Sequence, residues 1–161
     1  MAVDQFIKIG DVNGEAQDDK HKDSIDVLAW SWGMSQSGTT HAGSGSGAGK
    51  VAIQDLSITK YVDKSSPVLM MACSNGKHYP EALLTVRKAG ENPVEYVKIK
   101  MKDLIITSIS TGGSGGEDRL TENVTLNFGA VECEYQPQGK TGAKEGGAVK
   151  YGWDIAANKK L

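Results

Sequence analysis

Cysteine is scarce. Two in 161 residues cannot build a disulfide framework or, alone, a thiolate metal site. Cys73 lies in an apolar run and Cys133 in a strand-like alternation, so both read as small buried thiols in a compartment that keeps thiols reduced. Long apolar runs are missing. The longest, Val68 to Cys73, falls far short of the roughly 18 residues needed to span a bilayer, so no stable membrane insertion is expected. The opening Met1 to Phe6 has no basic segment followed by an apolar stretch, which predicts no cleaved secretory signal. An excess of one charge is also lacking. Eighteen basic and 20 acidic residues leave a net charge of −2 with the signs interspersed, unlike the basic face of a nucleic-acid binder. The three histidines, His21, His41 and His78, show no paired ligand spacing, so no metal is expected.

What is present is a single domain over residues 1–161, with 39% apolar residues to fill a core. Glycine is the exception to an ordinary composition: 20 of 161 residues, about 12% against a usual ~7%. The glycines gather in Ser37 to Gly49, Thr111 to Gly116 and Gly139 to Gly147, between patterned segments.

Those segments alternate with the period of strands. Phe6 to Ile9 is short and β-prone, and Asp11 to Asp23 reads as a solvated acidic loop. Over Ile25 to Gln36, Leu28, Trp30, Trp32 and Met34 form a bulky face expected in the core, against a small face of Val27, Ala29, Ser31, Gly33 and Ser35. Val51 to Val62 reads as a strand with a phase irregularity near Gln54-Asp55. Ser66 and Pro67 read as the N-cap and first position of one short, largely buried helix that stops at Asn75-Gly76. Strands follow at Pro80 to Lys88, Val94 to Ser110, Leu120 to Tyr135 and Val149 to Ile155. Phase shifts near Lys102-Asp103 and Gly129-Ala130 predict bulges. The sum is mainly β: an antiparallel β-barrel with one short flanking α-helix and an extended Gly/Ser-rich loop.

Catalytic motifs fail on context. Gly112 to Gly116 matches a nucleophile elbow formally. The next element is a strand, however, and every histidine precedes Ser114. Gly43 to Ala48 matches the loose dinucleotide fingerprint but also leads into a strand. Gly139-Lys140-Thr141 lacks the upstream glycine of a phosphate loop. The carboxylates are scattered over loops. No catalytic or cofactor residue is expected. Lys98, Lys100 and Lys102 alternate along one face, either solvated or a contact stripe.

The loop Ser37 to Gly49 holds five glycines and three serines. Ordering its backbone would cost roughly 1–2 kcal/mol per residue, and no apolar side chain in it could offset that internally. It is therefore either mobile or held by another subunit.

Four stretches together carry a resemblance. They are Phe6-Ile7-Lys8-Ile9-Gly10-Asp11, Leu28-Ala29-Trp30-Ser31-Trp32-Gly33, Cys73-Ser74-Asn75-Gly76-Lys77-His78-Tyr79-Pro80, and Ser110 through Arg119 to Val124. The chain closely resembles the haemolysin-coregulated proteins (Hcp) of type VI secretion systems in Gram-negative bacteria, from Met1 to about Trp153. The resemblance implies a non-enzymatic tube subunit, similar to that of phage tails. Family members form homohexameric rings that stack into a hollow tube inside a contractile sheath, tipped by a valine-glycine repeat spike protein. The tube starts in the cytoplasm and is secreted on contraction, with small effector proteins in its lumen. No C-terminal toxin extension is expected. On this reading Ala29, Ser31 and Gly33 line the lumen or contact cargo. Gly43, Gly45, Gly47 and Gly49 form a ring-stacking loop, and Gly90 and Glu91 an opposing rim. Two other readings stand beside it: a monomeric β-barrel binding a small ligand inside, and a hydrolase using Ser114.

Overall fold

The computed structural model describes residues 3–38, 49–90 and 93–161. Seven strands of six residues or more follow the predicted alternation: β1 (Val3–Ile9), β2 (Ile25–Ser31), β5 (Leu56–Tyr61), β6 (His78–Lys88), β7 (Glu95–Thr111), β8 (Thr121–Tyr135) and β9 (Val149–Asp154). Three two-residue strands join them: β3 (Met34–Ser35), β4 (Ala52–Ile53) and β10 (Lys159–Lys160). The order β8-β5-β2-β1-β6-β7 returns to β8, closing an antiparallel six-stranded barrel. Length makes β8 the hub. One edge of its 15 residues carries β5 along the first half and β9 along the second, while the other edge pairs with β7 throughout. Ile7, Ile25, Leu56, Leu84, Met101, Leu126 and Val131, all fully buried, fill the interior where a ligand of a monomeric binding barrel would have to sit.

The two expected irregularities face each other. Met101 and Leu104 are both buried, as are Val131 and Phe128. Side chains three apart share a face only if the pleat skips a beat. Asp103 supplies the skip with a φ of +53°, and it lies against Gly129, where added side-chain atoms would meet the Asp103 backbone and carboxylate. Both strands switch face at one level, so the ladder stays in register from Lys102↔Ala130 to Leu104↔Phe128 and neither position is a bulge; the register shift between β7 and β8 falls at Ile106/Ser108 instead.

In β2 the expected partition holds only past a bulge. The register with β5 shifts between Val27↔Lys60 and Ala29↔Thr59. Val27 therefore enters the core, and Leu28, assigned to the core from the sequence, stands 40% exposed. Trp30 and Trp32 pack against the core as expected; Met34 does not, because β3 and β4 leave the barrel as a separate ribbon. The acidic loop is also less solvated than its composition suggests. Val12 and Ala16 are buried, and the guanidinium of Arg87, itself buried, pairs with Asp18 and lies 5.1 Å from the Phe6 ring centre. His21 stacks on Phe6 at 4.6 Å and bonds Glu95 at 2.8 Å.

Helix α1 (Ser65–Asn75) stops at Gly76 as predicted, with a left-handed φ of +67°. Its start differs. Asp63 Oδ1 accepts the Ser65 N–H at 2.9 Å, which frees Ser66 to turn inward. The helix touches the barrel along one stripe, Ser65, Leu69 and Ala72, so Val68 and Met71 remain 47% and 64% exposed rather than buried. The two cysteines are half-buried.

Ser66 joins a buried polar cluster that alternation alone did not reveal. Lys60 Nζ, fully buried, lies 2.5 Å from Glu122 Oε2 and 3.1 Å from Asp63 Oδ1. It also donates to Tyr61 O at 2.9 Å and Ser66 Oγ at 3.1 Å, and Ser66 Oγ donates to Glu122 at 2.6 Å. The cluster ties β5, β8 and the helix start at one point. A charge left alone there is expensive. Glu122→Ala should cost about 3–5 kcal/mol in urea unfolding, and adding Lys60→Met should recover most of it. A loss below about 1 kcal/mol for the single variant would contradict this account of the cluster.

The Arg87 hydrogen bond holds the Asp18 carboxyl below its ordinary value, outweighing the upward push of burial. A lowered folded value means that the ionised form stabilises the fold above the ordinary carboxylate pKa, about 3.9, and that this is lost as pH falls through the lowered value. Asp18→Asn should therefore reduce Tm at neutral pH, with the gap to the wild type narrowing in acid. A gap independent of pH would contradict the assignment.

Candidate functional site

Past the β2 bulge, Ala29 and Ser31 point outward and exposed. They do not stand alone. Register sets Ala29 beside Thr59 and Ser31 beside Ser57 on β5. Those pair with Asn123 and Thr125 on β8, and these in turn with Ser110 and Ser108 on β7. Four strands thus present one outward surface of small, neutral, polar groups. Its hydroxyls bond laterally: Thr59 Oγ1 donates to Asn123 Oδ1 at 2.7 Å, and the Ser108 and Thr125 hydroxyls lie 2.6 Å apart. Asp55 at its margin accepts from Thr107 and Asn127, each at 2.8 Å. Sequence reading identified the β2 part alone. The alternation of Ser57/Thr59, Ser108/Ser110 and Asn123/Thr125 with core residues was visible; the strand order that assembles them was not.

Gly33 is half-buried at the turn from β2 into β3. Its carbonyl accepts the Gln54 N–H at 2.9 Å, and a Cβ there would come within 3.3 Å of Gln54 Oε1. It is a close-packed joint at the edge of the surface rather than part of it. From this joint β3 and β4 run out as a ribbon, Met34 opposite Ile53 and Ser35 opposite Ala52. Gly49 closes its neck, where a Cβ would strike the Ser37 hydroxyl. Gly43, Gly45 and Gly47 lie outside the described residues, as does Glu91. Gly90, exposed at the β6 end with a φ of +149°, sits beside the base of the β6–β7 hairpin that the Arg87 and Glu95 pairs brace.

The other halves of β7 and β8, together with β9, have another chemistry. On β7, Lys98 lies opposite Glu134 and Lys100 opposite Glu132; on β9, Lys150 pairs in register with Glu134. Lys100 Nζ also reaches Glu81 at 2.8 Å, a bond that raises its pKa. These side chains rim a groove of about 740 Å³. Burial raises the Cys133 thiol at its floor, away from the thiolate that reactivity needs.

Ser114 sits in the β7–β8 loop, which leads directly into a strand, and its hydroxyl accepts only the Gly116 N–H, at 3.4 Å, among the described residues. No helix among the described residues is long and apolar enough to cross a membrane, and no cluster of three metal-ligating side chains occurs among them.

Comparison with known proteins places this barrel. A family model described as type VI secretion system effector, Hcp, matches residues 6–135. Protein hcp1 of Pseudomonas aeruginosa is 69% identical over 159 residues, 98% of either chain. The crystal structure of Hcp1 from Salmonella typhimurium superposes with a TM-score of 0.84 at 43% identity, covering 100% of both chains. A structure described as a type six secretion system protein reaches a TM-score of 0.93 at 32% identity, over 99% of this chain and 100% of that one. Model match, identity and fold agree, and the chain belongs to the Hcp family of type VI secretion system effectors.

Proposed function

We propose that this chain is the repeating subunit of a secretion tube, with its neutral four-strand face turned to the lumen. Six copies close head to tail into a ring, and rings stack into a hollow tube. The tube runs inside a contractile sheath beneath a valine-glycine repeat spike and carries small effectors outward from the cytoplasm. The observation that carries this reading is the surface running from Ala29 and Ser31 through Ser57/Thr59 and Asn123/Thr125 to Ser108/Ser110. A channel wall must stay wet and must not hold its contents permanently. Short hydroxyl side chains that bond one another do this, since they leave little apolar area and almost no charge to trap cargo. The packed core supports the same reading: nothing is left for a ligand inside the barrel, so function belongs on its outside. The ribbon β3–β4, leading to Gly43, Gly45 and Gly47 with Gly49 at its neck, reaches toward the next ring. Gly90 and Glu91 form part of the rim it meets.

Electron microscopy of the purified protein should show annular particles. Ser31→Trp should leave those rings intact while effector co-purification falls at least about tenfold, the scale of 1.4 kcal/mol. Loss of the rings would instead make Ser31 a packing residue. Deleting residues 43–47 should spare single rings and abolish their stacks; unchanged tubes would refute the stacking role.

A further inference from the structure

A carboxylate stands among the hydroxyls of the outward four-strand surface. Asp55 immediately precedes β5, two residues before Ser57, so alternation sets it on the face of Ser57 and Thr59. It is half-buried, and both of its oxygens are held. Thr107 Oγ1 donates to Oδ2 and Asn127 Nδ2 to Oδ1, each at 2.8 Å. Two strands other than its own thus fix its orientation. The β7 bulge supplies one of the two donors. Between Ile106↔Leu126 and Ser108↔Thr125, Thr107 is the extra residue, and a bulge re-aims the side chain it inserts. Here that side chain reaches Asp55. No cation answers the charge. Asp55 forms no ion pair among the described residues, whereas the buried Glu122 has Lys60 and the exposed Asp103 has His78. Each carboxylate oxygen accepts more than one bond, so both keep room for a donor from outside.

We propose that Asp55 selects cargo by charge: it takes an ammonium or guanidinium group from a cationic stretch on an effector, and Thr107 positions it for that contact. This selection rests on the tube-subunit reading and names the class of cargo that the wall prefers. In a ring of six the carboxylate recurs at one level of the wall. Salt screens exposed charges over about 8 Å at physiological ionic strength, so cargo feels these groups at the wall and not along the axis. One exposed ion pair is weak, in part because both side chains must be frozen to make it. Thr107 and Asn127 have already frozen one of them. Weak pairs also suit a channel: several around the ring retain a basic cargo, and breaking them one at a time releases it. An acidic cargo is repelled by every copy. The hydroxyls around Ser31 are indifferent to sign, so discrimination falls to Asp55.

The test uses assembled rings and two dye-labelled peptides, octalysine and octaglutamate, with binding read by fluorescence anisotropy and ring content by sedimentation velocity. Octalysine should bind wild-type rings about tenfold or more tighter than octaglutamate, and about 0.5 M salt should remove most of that difference. Asp55→Asn should weaken octalysine about fivefold, the scale of an exposed ion pair, and leave octaglutamate no weaker. Thr107→Val keeps the charge but frees it, and should weaken octalysine alone, by about twofold. A merely structural role for either residue would move both peptides alike, and that result would overturn the selection. So would an unchanged octalysine affinity in Asp55→Asn rings; the tube reading would then stand. Carbodiimide coupling of octalysine to wild-type rings needs no variant: peptide mapping should find the new amide on Asp55, and coupling confined to other carboxylates would overturn the assignment. A wild type that is monomeric throughout would remove the tube reading, and this selection with it.

Discussion

The ladder between β7 and β8 is the constraint on which the rest depends. It runs from Val97↔Tyr135 to Thr111↔Glu122 and turns an open sheet into a closed barrel. Long strands in a small barrel must bend, and here both bend together. Asp103 takes a left-handed conformation and lies against Gly129. Without that paired switch, the residues on one side of it would put their apolar side chains in water. The bulge at Ile106/Ser108 adds further curvature, and the Lys60–Glu122 pair pins the same strand to β5 and the helix.

Closure also sorts the outside of the barrel. Strand order, not local sequence, gathers the serines, threonines and Asn123 of four strands into one neutral face. The same order puts alternating Lys and Glu on β7, β8 and β9 elsewhere. A lone globule has little use for such segregation. In the tube proposed above, the neutral wall would face the channel and the projecting ribbon the next ring. The exposed Val68 and Met71 on the helix stand apart from both.

Much of this was legible in the sequence because alternation is local. The seven longer strands, the breaks at Gln54-Asp55 and Lys102-Asp103, the helix stop at Gly76 and the outward Ala29 and Ser31 all follow from residues within a few positions of one another. Misreadings arose where a distant partner decides. Leu28 left the core because β5 pairs with β2 across a bulge. Ser66 is not the N-cap because Asp63 takes the Ser65 N–H, and its hydroxyl turns to Glu122, 56 positions along the chain. Asp18 became an internal counter-ion only because β6 brings Arg87 to it. The groove and the breadth of the neutral face required strand order, which no single segment encodes. Motifs over long stretches reached further: the residues around Trp30, Asn75 and Gly113 pointed to the family before any pairing was known.

The central claim is that one barrel is a part and the ring is the working object. Absolute mass in solution by light scattering, over a wide concentration range, tests it most directly. The account predicts a species of about 103 kDa, six times the 17.1 kDa chain. A particle of 17.1 kDa at every concentration would contradict it.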